Sequence, residues 1–460
     1  MAVTETTHQQ SPELHPDELK PSDDVSSSAT GHDEPYEKTA EAEAGLSQPK
    51  PPAGPPGGPP PNGGLTAWLQ VLGGFFLFFN TWGILNTFGV FQTYYESGEL
   101  FRETSSNISW IGSVQSVCVL FVGSATGPVF DRGHLRLLLL IGSFGVVFGF
   151  MMLSLCKEFW QAMLAQGFCI GLGGGMLFVP SVAIMPTYFN TRLGLAIGLA
   201  ASGSSMGGII YPIVFYRLLP QIGFGWAVRV LGFMALATLL IPISVMKMRV
   251  QPPKARSLLD TTVFTDYTFI LFVAGAMIGF IGLYVELFYI SFFGEATGYT
   301  DSSMSFYLVP ILNAGSVFGR TLPNMLSDKI GPINVIIPGA VICSILVFCN
   351  MAVDSLGGIV VQALLFGFFS GIFIALPPVC FFSLTADKTK LGTRLGMGFA
   401  VIALGVLAGG PGGGAILQSD PSNLDWKGTW AYSGATLIAA GAIFFIVRFL
   451  KVGAKVVTKV

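Results

Sequence analysis

The sequence predicts an all-α membrane protein whose twelve transmembrane helices form two pseudo-symmetric six-helix bundles. Three observations support this prediction: the chain has little charge, it contains twelve long apolar runs, and one loop pattern occurs at equivalent positions in its two halves. Of the 460 residues, 52% are hydrophobic and only 11% are charged, whereas a soluble domain carries about 25% charged residues. Because so little charge leaves too little polar surface to face water, the expected solvent is a lipid bilayer.

Residues 1–64 differ in composition from the rest of the chain. They are rich in Asp, Glu, Ser and Pro and end in SQPKPPAGPPGGPPPNGG. Such a segment cannot bury enough apolar area to offset its chain entropy, so we expect a disordered, acidic and proline-rich cytosolic tail. It has no basic region followed by an apolar core, so it does not resemble a cleavable signal peptide.

Twelve apolar runs follow, each close to the roughly 20 residues that a membrane-spanning helix needs. Six lie in residues 65–246, the predicted N-terminal bundle, and six in residues 267–450, the predicted C-terminal bundle. Residues 247–266 form a polar cytosolic linker between the bundles, and residues 451–460 a basic cytosolic tail. The runs cover residues 67–91, 108–130, 135–155, 159–180, 193–216, 227–246, 267–290, 303–326, 334–353, 357–378, 395–417 and 429–450.

The distribution of Lys and Arg predicts the orientation of these spans. With the N-terminus in the cytosol, the cytosolic loops and the C-terminal end hold fifteen Lys and Arg residues, and the opposite side holds five. Loops on the cytosolic face of membrane proteins carry such an excess of positive charge. We therefore expect both termini in the cytosol. We also expect the protein to lie in the plasma membrane.

Two loops share an acid–base pattern. GPVFDRGHLR begins at Gly127 and carries Asp131 and Arg132 between the second and third spans, while GRTLPNMLSDKIG carries Asp328 and Lys329 between the eighth and ninth. In a six-plus-six arrangement these are the same loop. The repetition indicates parallel repeats with a substrate path between them.

This duplicated loop resembles the commonest motif of the major facilitator superfamily (MFS), over about residues 65–450. The resemblance implies the MFS fold and transport by alternating access. It also implies that Gly127 and the acid–base pairs of the two loops are a gating motif, whose contacts close the cytosolic side. A carboxylate suits this role because it can accept hydrogen bonds from the N-terminus of a neighbouring helix.

The segment YFNTRLGLAIGLAASGSSMGG, residues 188–208, resembles the monocarboxylate porter signature within that superfamily. The acidic proline-rich tail and the aromatic first span are similar to those of fungal members of this group. The residues that carry the signature are Tyr188, Phe189, Arg192, Gly194, Gly198, Gly203 and Gly207.

Polar and ionisable residues inside the spans are the candidate solute-binding residues, because such residues are costly in lipid. Arg320 is the leading candidate: it shares a helix face with Asn313 and Ser316 and can form a bidentate bond with a carboxylate. An internal pairing of Arg320, or a side chain extended to the cytosolic surface, is the alternative. The remaining candidates are Asn80, Trp82, Asn86, Tyr284 and Glu286.

Two positions depart from the proton-coupled animal carriers that the sequence resembles. Ser316 stands where those carriers have an aspartate, and Asn86 stands where they have a lysine. Symport of a proton with lactate is therefore not implied. Transport is expected to be facilitated, coupled through Glu286, or directed outward, with protons as the candidate coupling ion.

The predicted function is secondary transport of a small organic solute, an organic acid or amphipathic metabolite, with efflux of a fungal secondary metabolite as one direction. The alternatives are uptake of a monocarboxylate or of a riboflavin-like vitamin, and a membrane sensor that does not transport. We expect no enzyme activity, metal or cofactor, because the sequence lacks a nucleophile–base or metal-ligand pattern. With a net charge of −2, nucleic acid is not an expected partner.

Overall fold

A computed structural model describes residues 58–250, 257–419 and 424–453. Residues 1–57, part of the linker and most of the basic C-terminal tail lie outside this described part, so the expectations for them stay untested. Within it the chain is all-helical, and no strand is present. The predicted all-α fold class is confirmed.

The N-terminal half contains several short helices because its spans are interrupted. The first span breaks at Thr81 and Thr87, and the fourth contains a π-helical turn, Met163–Ile170. The helices are α1 (Leu65–Asn80), α2 (Trp82–Asn86), α3 (Phe88–Glu96), α4 (Ser105–Asp131), α5 (Leu135–Leu153), α6 (Phe159–Ala162), α7 (Gly171–Ala183), α8 (Met185–Tyr188) and α9 (Leu193–Val245).

Most helices of the C-terminal half are long, and one apolar segment, Leu356–Leu384, is interrupted at Leu376. Short 3₁₀ turns at Thr261–Thr265, Asn350–Ala352 and Lys388–Lys390 lie between some of them. The helices are α10 (Tyr267–Ala296), α11 (Ser302–Ile330), α12 (Pro332–Cys349), α13 (Leu356–Ala375), α14 (Pro377–Leu384), α15 (Leu391–Leu417) and α16 (Trp426–Val452).

The structure contains ten helical segments, among the described residues, that are long and apolar enough to cross a membrane. One of them, the 53-residue α9, is broken at Gly223, whose φ of 71° only glycine adopts readily, and the sequence predicted two spans there. Another predicted span, α11, is not among the ten because it is more polar. The predicted number of twelve crossings therefore stays a prediction.

The surface carries many exposed large apolar side chains, such as Phe144, Leu240 and Phe445. A soluble protein of this size would not expose so many, because contiguous apolar patches favour association in water. The buried apolar residues form one continuous cluster that includes both halves of the chain. This distribution matches a bundle with lipid around it.

The two halves meet along a seam made by three helix pairs. Helix α9 packs on α11, α4 packs on α15, and α3 packs on α10. We call the end of the bundle where Asp328 of α11 meets the start of α9 the Asp328 end. The opposite end, where Tyr289 of α10 donates to Gly410 O of α15 at 3.1 Å, is the Tyr289 end.

Residues 58–64, which the sequence placed in the disordered tail, are described and attached to the bundle. The backbone N–H of Asn62 donates to Tyr188 O at 3.0 Å. Its side-chain Oδ1 accepts from the backbone N–H groups of Asn190 at 2.7 Å and Thr191 at 2.9 Å. The start of α1 is thereby fixed beside the loop that precedes α9.

Candidate functional site

Arg320 lies at the middle of the seam and is 1% exposed. Its Nε donates to Ser316 Oγ, one helical turn earlier, at 3.0 Å. Its Nη1 donates across the seam to Ala201 O at 3.3 Å and to Ser204 Oγ. The guanidinium of one half is therefore held against α9 of the other half.

No Asp or Glu of the described residues forms a salt bridge with Arg320. Its second terminal nitrogen, Nη2, makes no hydrogen bond within the same part of the chain. A guanidinium presents five N–H donors, and a buried charge is costly unless it is paired. Arg320 therefore retains donor capacity that suits an anionic or acceptor-rich group.

A second polar contact crosses the seam nearer the Tyr289 end. Asn86 Nδ2 donates to Asn313 Oδ1 at 3.1 Å, and Asn313 Nδ2 donates to Val309 O at 3.0 Å. Asn313 also lies against Gly208, where an added Cβ would come within 2.5 Å of its amide. The structure thus brings Asn86, Asn313 and Arg320 together along one seam.

Two further candidates have buried polar atoms with little or no hydrogen bonding. Trp82 Nε1 makes no hydrogen bond with any described residue, and Tyr284 Oη lies near Ser116 but does not form a hydrogen bond of good geometry with it. Tyr284 interacts electrostatically with Arg320, and Trp82 lies one turn before Asn86 on α2. Such buried donors are rare in native structures and call for an explanation such as a ligand or a water.

Asn80 does not join this group. Its Nδ2 donates to Phe76 O at 2.8 Å and to Thr238 Oγ1 at 2.9 Å, while its Oδ1 accepts from Tyr211 at 2.6 Å. All these partners belong to the N-terminal half. Asn80 therefore ties α1 to both segments of α9, and its polar groups are satisfied within one bundle.

Glu286 lies within the C-terminal half and is fully buried. Its Oε2 accepts from Asn350 Nδ2 at 2.8 Å and its Oε1 from Gln362 Nε2 at 2.9 Å. The side chain is enclosed by other elements of this half. It is a buried carboxylate that two neutral amides hold, away from the Arg320 group.

The two acid–base loops have a similar backbone. Each ends its helix with a glycine in the left-handed region, Gly133 with φ 89° and Gly331 with φ 96°. Asp131 is buried, whereas Arg132 and Lys329 are exposed, and Gly127 is buried one residue before Pro128 in α4. This shared geometry supports the predicted equivalence of the loops.

Asp328 contacts the other half of the chain. Its carboxylate accepts from the backbone N–H groups of Gly194 at 3.1 Å and Leu195 at 3.3 Å, at the first turn of α9. These N–H groups have no partner within their own helix, and the positive end of the helix dipole favours an anion. Asp328 therefore closes the seam at its own end.

The glycines of the signature segment allow two close contacts of α9. Gly194 and Gly198 lie against α11, where an added Cβ at Gly198 would be 2.7 Å from Arg320 O. Gly203 and Gly207 lie against the backbone of α1 at Phe75 and Phe79. Of the remaining signature residues, Tyr188 donates to Lys247 O at 2.9 Å, Phe189 packs on Trp68 with ring centroids 5.2 Å apart, and Arg192 is exposed.

An ionic cluster that the sequence did not reveal fixes the linker to α15. Asp260 contacts Arg394 at 3.2 Å and Lys390 at 3.2 Å, and Arg394 also contacts Asp266 at 2.7 Å. Burial opposes ionisation of Asp260, but hydrogen bonds from Thr262, Arg394 and Lys390 outweigh it and lower its pKa to about 2. The cluster joins residues more than 120 positions apart, so no local spacing could have predicted it.

A sequence profile described as Major Facilitator Superfamily matches residues 70–388. The chain belongs to the major facilitator superfamily. Two curated fungal relatives support this membership over nearly the whole chain. The MFS-type transporter dbaD of Emericella nidulans is 57% identical, over 95% of this chain and 99% of the relative. The Aspyridones efflux protein apdF of the same organism is 34% identical, over 86% of this chain and 80% of the relative.

A solved structure of the nucleoside transporter NupG has the same fold as this superfamily member. Its TM-score is 0.61, with 14% sequence identity, and the match covers 83% of this chain and 99% of that one. At such identity the likeness concerns the fold alone. The family and its relatives make this MFS protein a membrane transporter of small organic solutes and not an enzyme.

Proposed function

We propose that this transporter exports an amphipathic organic solute with acidic or acceptor groups, a fungal secondary metabolite, by alternating access of twelve membrane crossings. The observation that carries the proposal is Arg320, which is buried at the seam, lacks a salt bridge and bonds to both halves of the chain. A group with these contacts can sense which way the seam is open, because its contacts to α9 must change when the halves separate.

The donors at the seam define the chemistry of the solute. Arg320 Nη2 and Trp82 Nε1 donate no hydrogen bond to a described residue, and Tyr284 Oη has only Ser116 nearby, so all three can donate to a solute. A carboxylate, phenolate or enolate on the solute would accept from them, and a charge-assisted bond contributes about 1.5–3 kcal/mol. The aromatic residues around them suit an apolar body better than a small polar acid.

The conformation is closed at both ends of the seam. Asp328 contacts the start of α9 at one end. At the Tyr289 end, Gln418 Nε2 donates to Ser105 Oγ at 3.0 Å, and Phe88 contacts Phe288 with ring centroids 4.9 Å apart. Alternating access requires that each set of contacts breaks in turn, so this conformation suits the intermediate between the two open states.

The direction of transport is proposed from the relatives and from the chemistry of the site. A relative's name assigns efflux of aspyridones to that protein. We propose that this chain is a monocarboxylate porter on the basis of residues 188–208, and a fungal one on the basis of its acidic proline-rich tail and aromatic first span. Ser316 and Asn86 are its departures from proton-coupled lactate carriers. Uptake of a monocarboxylate or a vitamin, and a sensor without transport, are the alternatives that the experiment below distinguishes.

We also propose that protons drive the export and that Glu286 carries the proton. A carboxylate in the lipid-spanning part of the protein is costly when charged, and neutral amides compensate that charge only partly. Protonation removes the charge and changes the contacts with Asn350 and Gln362.

We further propose that the protein lies in the plasma membrane. Both of its termini, and the Asp328 end of the bundle, then face the cytosol.

The test compares metabolites inside and outside fungal cells that carry the wild-type gene, its deletion, or the Arg320→Ala variant. For an exporter, deletion increases the internal amount of at least one amphipathic acid and lowers its external amount. Arg320→Ala reproduces the deletion, with export reduced about tenfold or more, because a lost charge-assisted bond of 1.5–3 kcal/mol corresponds to at least that factor.

Membrane abundance of each variant is measured by quantitative blotting, and Arg320→Lys is the matched control that keeps the charge but loses the bidentate geometry. We expect intermediate export for the lysine variant. A fall in internal metabolite on deletion would indicate import and contradict the proposal. Normal export by a well-expressed Arg320→Ala variant would remove Arg320 from the site.

A further inference from the structure

A large apolar groove opens on the side of the bundle near the Asp328 end. Its volume is about 640 Å³, and its walls come from α4, α10, α15 and the linker residues 257–264. The wall residues that matter below are Phe121 and Ala125 on α4, Val273 and Ala274 on α10, and Ala400 and Val401 on α15. This volume lies within the range of 300–1,000 Å³ that is usual for pockets of drug-sized molecules.

The linker closes the groove on the side of the Asp328 end. Thr393 Oγ1 donates to Ser257 O at 2.8 Å, and the ionic contacts of Asp260 hold the following residues against α15. Leu258, Leu259 and Phe264 nevertheless remain 60%, 69% and 68% exposed. Exposed apolar side chains beside a charged cluster are typical of a segment at the membrane interface.

The groove adjoins a small cavity in the seam where α4 packs on α15. This cavity has a volume of about 30 Å³ and further walls from α7, and both spaces share Ser124, Gly392 and Gly396 as walls. Ser124 Oγ donates to Gly396 O at 2.7 Å across this pair. The cavity holds little more than a water in this conformation, and Phe178 and Phe399 close it with ring centroids 5.3 Å apart.

We propose that the groove is the site at which the transported solute, dissolved in the cytosolic leaflet, binds before it passes between α4 and α15 into the seam. This inference rests on the proposed export function. Its occupant is the apolar body of an amphipathic solute. When the Asp328 end opens, Ser124 separates from Gly396 and the groove joins the interior. The apolar body of the solute can then pass between α4 and α15, and the acidic group of the solute reaches Arg320.

Continuity with the interior favours the solute over a phospholipid as the occupant. A structural lipid needs only a groove on the outer surface. Here the groove and the inner cavity share three wall residues, two of which are glycines that leave the wall thin. The groove is also almost wholly apolar, so the apolar body of a solute can move into it from the leaflet without contact with water.

The first test fills the groove with Ala274→Trp. The matched control is Ala237→Trp, which adds the same side chain at an exposed position of α9 outside the groove. Export of the metabolites that the gene deletion retains should fall at least tenfold with Ala274→Trp and stay at the wild-type rate with Ala237→Trp. Ala400→Trp, on the opposite wall, should repeat the loss if the first variant is poorly expressed. Wild-type export by well-expressed groove variants would overturn the proposal.

The second test identifies the occupant with the full chain in lipid nanodiscs. A diazirine-bearing naphthoic acid and a diazirine-bearing phosphatidylcholine are photolysed separately, and labelled peptides are mapped by mass spectrometry. Labelling of residues 264–277 and 392–401 by the naphthoic acid, lost in Ala274→Trp, supports the proposal, and labelling there by the phospholipid alone overturns it. Because Arg320→Ala leaves the groove intact, it should keep this labelling, so a failure of the export proposal is distinguished from a failure of the groove.

Discussion

At the scale of single residues, the seam shows how few polar groups a carrier needs inside a membrane. Arg320 is held by neutral acceptors only, among the described residues, and these come from both bundles. A salt bridge would satisfy the guanidinium in one conformation, and Arg320 would then exchange that partner for a solute less readily. Neutral acceptors hold the side chain in place without neutralising its charge, as the proposed recognition of an acidic solute requires.

The sequence indicated part of this arrangement. The spacing of Asn313, Ser316 and Arg320 predicts one helix face, because residues three and four apart are neighbours on a helix. It could not indicate Ser204, which lies 116 positions from Arg320 and reaches it only because the two bundles pack. Local spacing likewise failed for Asn80 and Glu286, whose partners depend on tertiary packing.

Glu286 offers a test of proton coupling. Glu286→Gln keeps the shape and the contacts with Asn350 and Gln362 but cannot exchange a proton. We expect this variant to retain exchange of labelled solute down its gradient and to lose both accumulation against the gradient and its dependence on pH between 5 and 8. Asp260, with a pKa of about 2, stays charged throughout this range and contributes no dependence.

The matched control is Glu295→Gln, which changes a half-buried carboxylate on the same helix. This variant should accumulate solute with the pH dependence of the wild type. The hypothesis that Glu286 carries the proton is abandoned if Glu286→Gln still accumulates solute uphill with an unchanged pH profile.

At the scale of helices, the start of α9 is the element that Asp328 contacts across the seam. The first turn of α9 presents unpaired N–H groups to Asp328, and Gly194 and Gly198 let α11 approach the helix closely. The duplicated loop predicted a carboxylate at a helix end, but the receiving helix could be seen only in the packed structure.

Asp328→Asn should weaken this closure. Loss of the charge at the helix N-terminus costs about 1 kcal/mol, which is about a fivefold change in the population of the closed state. We expect Ser124→Cys in this background to react about five times faster with a membrane-impermeant maleimide added from the Asp328 end. Asp328→Glu, which keeps the charge, serves as the control and should react as slowly as the parent with Asp328. Equal rates for the Asn and Glu variants would show that the carboxylate does not close the seam.

At the scale of the whole molecule, two bundles face one another with glycines at the points of closest approach. Composition and apolar runs predicted the all-helical membrane fold because lipid requires a helical backbone and an apolar surface. The apolar runs predicted the ends of structured segments less well. Helix α9 is divided at Gly223 although its hydrogen bonding continues across that residue, and residues 58–64 are fixed to the bundle although they are polar and proline-rich. These features depend on the backbone conformation and hydrogen bonds of single residues, which a pattern of apolar residues cannot predict.

The central claim is that solute moves only when the contacts of the Asp328 end break, and the pair Ser124 and Gly396 tests it directly. A Cβ added at Gly396 lies 3.4 Å from the Cβ of Ser124, close to the separation of about 3.8 Å in a disulfide. Single variants Ser124→Cys and Gly396→Cys are the controls. Oxidation of the double variant Ser124→Cys/Gly396→Cys should stop export, and reduction should restore it, while the single variants transport under both conditions. Continued export by a fully cross-linked double variant would contradict the account.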